Sequence, residues 1–228
     1  MKTALVTGAN KGIGLEVASQ LLKRNFKVIF TARNRPRGLS AAKTISDPGE
    51  NLNFIQLDVE DEASVKRAAD EAKSKNMKID VIVNNAAVLL DTGSINEVSA
   101  ETILTTLRIN TLGPILVIQS FLPLMNKNGR IINVSSGLGS FSEMSSYAPT
   151  YSISKSALNA VTKQFAFSLQ DRNICVNSVS PGWVKTEMGG SNAERTVEKG
   201  AETIVWLADE APQNLTGRFF RDKKEIDW

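Results

Sequence analysis

The chain's two tyrosines, Tyr147 and Tyr151, lie four residues apart, and Lys155 follows the second by four more. A phenol beside a lysine can do proton chemistry. A free tyrosine, pKa ~10, is a weak acid or base near neutrality unless a nearby cation favours its phenolate. On a helix, Tyr151 and Lys155 project from one face. The same spacing also decorates many exposed helices, so it leaves both readings open. Tyr147 is followed four residues later by Tyr151 instead of lysine, and fails the test. A second stretch, Thr7-Gly8-Ala9-Asn10-Lys11-Gly12-Ile13-Gly14, suits a phosphate. Its glycines let a strand turn sharply, approach a ligand and start a helix whose free N–H groups and dipole attract a pyrophosphate. Three glycines can also make a plain turn; their place at the first strand–helix junction favours the phosphate.

The end of the second apolar run decides which dinucleotide such a loop would take. An acid there holds a ribose 2′-hydroxyl, and a cation accommodates a 2′-phosphate. This run ends in Ala32-Arg33, with Arg37 one helical turn on. Guanidinium groups suit phosphate through planar, charge-assisted bonds, so NADP(H) is favoured over NAD(H), unless both arginines are merely solvated loop charges. Lys11 is placed to reach the same phosphate.

These residues need a scaffold, and the apolar pattern supplies one. Continuous runs rich in Val, Ile and Leu predict strands over 3–7, 28–31, 54–57, 81–83, 130–134 and 174–179, each covered on both faces. Amphipathic windows predict helices over 14–24, 38–45, 62–74, 100–126 (broken near Gly113-Pro114) and 152–171. A further strand is expected in the segment that starts at Leu215. The alternation specifies a parallel sheet of βαβ units with helices on both faces, in a single domain spanning 1–228. The irregular stretch that begins at Pro181 and contains Gly189-Gly190 falls at the carboxyl edge of that sheet. It reads as a substrate lid over about 183–200.

Composition removes alternatives. The chain has no histidine and one cysteine, which excludes Ser-His-Asp and Cys-His mechanisms, an intrachain disulfide and most transition-metal sites. No metal is expected. Its 27 basic and 24 acidic residues give a net charge of +3 with no basic stripe, so no nucleic-acid partner is expected. No apolar run approaches ~18 residues and the N-terminus is not a signal peptide. The expectation is a cytoplasmic chain with no membrane partner.

The motifs TGxxxGxG, Asn84-Asn85-Ala86-Ala87 after a strand, Asn110 on a helix, Ser135-Ser136 after a strand, Tyr151-xxx-Lys155 and Pro181-Gly182 occur in this order. Together they resemble the short-chain dehydrogenase/reductase superfamily in its compact single-domain type, over essentially the whole chain. The stretches VTGANKGIGLEVA, TARNRPRG, FIQLDVED, GRIINVSS, PGWVKTEM, GAETIVWLA and GRFFRDKKEIDW are similar to its carbonyl reductase branch. The resemblance implies a Rossmann-type doubly wound sheet in three α/β/α layers. It also implies NADPH-dependent reduction of aldehydes or ketones, reversible as alcohol oxidation. On that basis Tyr151 is the general acid/base, and Lys155 lowers its pKa and bonds the nicotinamide ribose. Ser136 holds the substrate oxygen, and Asn110 helps organise a water relay to Lys155.

The cofactor would meet Gly8, Asn10, Lys11, Gly12, Ile13 and Gly14, with Arg33 and Arg37 at the 2′-phosphate. Asp58 and Val59 would touch the adenine. Asn84 and Ala86 would lie along the adenosine side, Asn84 at its ribose. Beyond Pro181 and Gly182, Val184 and Thr186 would meet the carboxamide. Ala87 departs from the family's glycine. Some members of the branch carry a helical insertion between serine and tyrosine that blocks subunit pairing; this chain has only 137–150 there. A homodimer or homotetramer through 100–126 and 152–171 is therefore expected. The competing reading is a non-catalytic NADP(H)-binding regulator. Retention of Ser136, Tyr151, Lys155 and Asn110 together argues against it.

Overall fold

The computed structural model describes residues 1–45 and 51–228. The apolar runs form β1 (Thr3–Val6), β2 (Lys27–Ala32), β3 (Leu52–Gln56), β4 (Ile79–Asn84), β5 (Met125–Val134), β6 (Cys175–Val179), β7 (Phe219–Arg221) and β8 (Lys224–Glu225). The helices are α1 (Gly12–Lys23), α2 (Arg35–Ala42), α3 (Glu62–Ser74), α4 (Ala100–Leu107), α5 (Gly113–Phe121), α6 (Pro149–Ser168) and α7 (Val197–Asp209). One sheet runs β3-β2-β1-β4-β5-β6-β7-β8, parallel throughout except for the β7–β8 pair. Strand order reverses at β1, so a crevice opens beyond the carboxyl ends of β1 and β4.

Alternation along each strand builds two cores. Ala4, Val6, Val28, Phe30, Val81, Val83 and Ile132 face α1 and α7, where Val17, Leu21, Ile204 and Val205 close over them. Leu5, Ile29, Ile82 and Ile131 point the other way, onto Val65 and Ala68 of α3 and Val117, Ile118 and Phe121 of α5. The central strands β1, β2 and β4 are thus apolar on both faces, which is why their runs are continuous. At the edge opposite the crevice, Asn25, Asn76 and Asn173 take left-handed backbone (φ 62°, 51° and 52°) and turn the chain after α1, α3 and α6. Asparagine tolerates that conformation better than most residues with a Cβ.

Three expectations move. The helix over 100–126 does not break at Gly113-Pro114; it widens into a π-helical turn at Arg108–Leu112, and Pro114 then opens α5. Pro114 has no N–H to return to the carbonyl of Asn110 four residues back, and a wider turn accommodates that loss. The stretch ends at Leu124, and β5 begins at Met125. Among the described residues, Ala100–Leu124 is long and apolar enough by length and composition to cross a membrane, which the apolar-run count did not show. In the structure it supplies Ile109, Val117, Ile118 and Phe121 to the core. Finally, the irregular segment expected over 183–200 ends where α7 starts at Val197, capped by the Thr196 hydroxyl accepting from the Lys199 N–H.

Candidate active site

Tyr151 sits in the first turn of α6 and Lys155 one turn on; both are buried. Lys155 Nζ donates to the carbonyl of Val134 on β5 at 2.7 Å and lies 5.4 Å from the centroid of the Tyr151 ring. Ser135 and Ser136 leave the same strand with different tasks. The Ser135 N–H donates to Val179 O at 2.8 Å, and its hydroxyl donates to Lys155 O at 3.4 Å. Ser136 is only half-buried, its hydroxyl accepts from the Leu138 N–H at 3.2 Å, and its side chain acts to lower the pKa of the Tyr151 phenol. Geometry therefore separates the two serines.

Burial pushes the Tyr151 phenol up to about 12, with Ser136 acting in the opposite direction. Burial also lowers Lys155 to about 7. Lys155 is not among the causes of the Tyr151 shift. The lysine is aimed at a strand carbonyl and loses charge to its own desolvation, so burial of the phenol wins.

Asn110 falls within the π-helical turn. Its Oδ1 accepts from the Val88 N–H at 2.8 Å, and its Nδ2 donates to Val88 O at 2.8 Å and to Ser154 Oγ at 3.0 Å. Its amide ties the segment after β4 to α6, which leaves no free N–H on the side chain for a water relay. Tyr147 is 50 % exposed. It borders an open cavity of about 560 Å³ with Ile95, Met144 and Ile153.

The glycine loop is built for an anion. Gly8 and Gly12 have φ of +61° and +54°, and a Cβ on Gly14 would lie 2.4 Å from Asn85 Nδ2. Helices α2, α3, α4 and α7 are each capped by a side chain, whereas α1 has none and no acid in its first turn. Its first N–H groups are available to a ligand. Lys11 is exposed at the N-cap and ion-paired with Glu187. Arg33 and Arg37 are exposed near the end of β2 and at the start of α2, with no carboxylate in ion-pair range among the described residues. These residues fit a dinucleotide bearing a phosphate on its adenosine side.

Other expected contacts are redistributed. Ile13, in the first turn of α1, packs against the core. The Asn84 amide is buried and donates to Asn133 Oδ1 at 2.9 Å inside the sheet. Asn85 touches the glycine loop, donating to Thr7 O at 2.9 Å and Gly8 O at 3.2 Å. Ala86 lies against Gly8, and its N–H donates to the Thr7 hydroxyl at 3.1 Å. Asp58 Oδ1 accepts from the Glu60 N–H at 3.1 Å, and Val59 presses against Gly113. Beyond Pro181 and Gly182, the Val184 side chain packs on Gly200 of α7, so only its backbone can face the crevice. The Thr186 methyl lies against Gly12 and its hydroxyl accepts from the Gly189 N–H at 3.0 Å.

The model of the short chain dehydrogenase family matches residues 2–202. The chain belongs to this family. It is 32 % identical to carbonyl reductase [NADPH] 1 of Sus scrofa, over all of this chain and 94 % of the relative. It is 30 % identical to the short-chain dehydrogenase anuI of Penicillium roqueforti, over 97 % of this chain and 94 % of the relative. Among solved structures, an NADPH-bound carbonyl reductase from chicken fatty liver matches all of this chain and 94 % of its own. Its TM-score is 0.91 at 28 % identity. Carbonyl reductase Sniffer of D. melanogaster matches over the full length of both chains, with a TM-score of 0.91 at 29 % identity.

This short-chain dehydrogenase carries one further site element that sequence reasoning missed. Asp91, in the segment after β4, accepts from the Thr150 N–H at 3.3 Å and from the Thr150 hydroxyl. It serves as the cap of α6, whose own N-cap residue Ala148 is left-handed and supplies none. The two residues are 59 apart in sequence, so no local signal marks the pair.

Proposed function

We propose that the protein is an NADPH-dependent reductase of aldehydes or ketones, able to run in reverse as an alcohol dehydrogenase. The supporting observation is the buried Tyr151 phenol, with Lys155 Nζ 5.4 Å from its ring centroid and the Ser136 side chain acting to lower its pKa. The carbonyl reductase [NADPH] 1 of Sus scrofa and the NADPH-bound carbonyl reductase from chicken fatty liver point the same way. The nicotinamide supplies the hydride. Tyr151, held protonated well above neutral pH, donates its proton to the oxygen that gains charge, and Ser136 holds that oxygen by a hydrogen bond. Lys155 fixes the tyrosine's position through Val134 and, when protonated, supplies positive charge under the ring. A raised phenol pKa favours the acid role; as a base in the oxidative direction Tyr151 needs higher pH. Lys11, Arg33 and Arg37 take the 2′-phosphate, and α1 takes the pyrophosphate.

A panel of small carbonyls assayed with NADPH and NADH side by side tests the reading. Reduction is expected with NADPH in preference to NADH. Tyr151→Phe is expected to lose at least about 100-fold in kcat, the range of general acid catalysis, with NADPH affinity unchanged. Tight NADPH binding with no turnover across the panel would favour the non-catalytic regulator. Assembly belongs to the same proposal: a homodimer or homotetramer, formed in the cytoplasm, through the exposed apolar side chains of α4–α6.

A further inference from the structure

Glu187 lies in the segment between β6 and α7, away from Tyr151, Lys155 and Ser136 in sequence and function. Its carboxylate is ion-paired with Lys11 of the glycine loop, 176 residues earlier. The neighbouring Thr186 is seated on the same loop, so that a Cβ on Gly12 would lie 3.2 Å from its methyl. Thr186 is in turn fixed by the Gly189 N–H, and Gly190 N–H donates to Thr186 O at 2.8 Å. Arg37 does not reach the Glu187 carboxylate, but its charge acts on it from a distance. Lys11 first, and the field of Arg37 after it, hold the Glu187 carboxyl below the usual carboxylate range. Arg37 is presented from a fixed turn, because its N–H donates to Asn34 Oδ1 at 2.9 Å and closes the cap of α2. One acid of this chain therefore sits among the cations that the functional reading gives to the 2′-phosphate.

We propose that Glu187 is a resident competitor for that phosphate and sets the discrimination between phosphorylated and unphosphorylated cofactors. The proposal rests on the NADP(H) reading of this site. A phosphate monoester carries about −1.5 to −2 charges near neutrality, and a carboxylate carries one. Two anions cannot share Lys11 and Arg37 without repulsion. A 2′-phosphate must therefore displace Glu187, whereas a 2′-hydroxyl leaves the pair intact. Displacement is feasible because the side chains of Lys11 and Glu187 are 61 % and 77 % exposed, and pairs so exposed contribute little to stability. Once the phosphate holds Lys11, the segment around Trp183–Gly190 loses its ionic tie to the glycine loop.

The test titrates adenosine 2′,5′-bisphosphate and adenosine 5′-monophosphate into wild-type protein, Glu187→Gln, and the double variant Lys11→Ala/Arg37→Ala. Glu187→Gln is expected to bind the bisphosphate about 3- to 10-fold more tightly at low salt and the monophosphate unchanged. That gain should shrink as ionic strength approaches about 1 M, where the screening length falls to about 3 Å. The double variant is expected to lose affinity for the bisphosphate alone. Unchanged or weaker bisphosphate binding by Glu187→Gln, with the double variant behaving as expected, overturns the competitor and leaves the phosphate site standing. Equal weakening of both nucleotides by Glu187→Gln also overturns it, by showing a clasp over the cofactor. A double variant that treats both nucleotides alike removes the phosphate site and the competitor together. Failure of the carbonyl panel touches none of these outcomes.

Discussion

Lys155 and Tyr151 were legible as a pair because an i, i+4 spacing on a helix needs no knowledge of the rest of the chain. Their electrostatics were not legible, because β5, the segment after it and α6 bury them together. For Lys155 the consequence is measurable. Its ordinary pKa of 10.5 falls to about 7 on burial. Between those values the unfolded chain holds a proton that the folded chain has lost, so this group makes stability rise with pH across that window. Below about pH 7 both states are protonated and the full cost of burying the charge applies. Lys155→Met is expected to flatten the rise in Tm between pH 7 and 10 and to raise Tm most at the acid end. A slope equal to that of wild type would place the lysine's charge elsewhere. Asn84 shows the opposite limit of sequence reading. Both asparagines of Asn84-Asn85 are polar residues after a strand, and only the pleat decides that Asn84 enters the sheet while Asn85 reaches the glycine loop.

At the scale of elements, most strand and helix positions followed from hydrophobic runs and periodicity, because the sheet is covered on both faces and each helix on one; α7 lies outside the predicted windows. The character of the α4–α5 junction did not follow from them either. Gly113-Pro114 signals an interruption, yet the chain absorbs it as a π-helical turn around Asn110. That turn lets the Asn110 amide bridge Val88 and Ser154, so an irregular backbone becomes the joint between the segment after β4 and the helix carrying Tyr151. Gly113 is small for a separate reason. A Cβ there would lie 3.0 Å from Val59 Cβ and from Val59 O. Gly113→Val is expected to destabilise by about 1–3 kcal/mol through overpacking, read by urea unfolding, and to lower kcat as α5 and the Asn110 joint shift. A variant with unaltered stability would show that the Val59 segment yields freely. The Asp91–Thr150 cap belongs to this scale too: its partners come from different segments, and only the assembled fold brings them together.

For the whole molecule, class, layer order and family were readable because many weak motifs occur in one order along the chain. Assembly is a prediction of the same scale. Leu104, Leu112 and Phe167 are 62 %, 44 % and 65 % exposed on α4, the π-helical turn and α6. Apolar side chains so exposed on helices that pack side by side suit a second copy. Sedimentation is expected to show a dimer or tetramer, and Leu104→Glu with Phe167→Glu to yield monomer; a wild-type monomer at micromolar concentration would refute it. The parallel sheet also gives the molecule two unlike ends. Glycine loop, Ser136, Tyr151 and Glu187 all gather where strands finish, whereas the left-handed turns at Asn25 and Asn76 lie where strands begin. Those turns are thus a place to engineer durability at a distance from catalysis: changes made there alter how long the enzyme lasts, and leave what it does to the opposite rim.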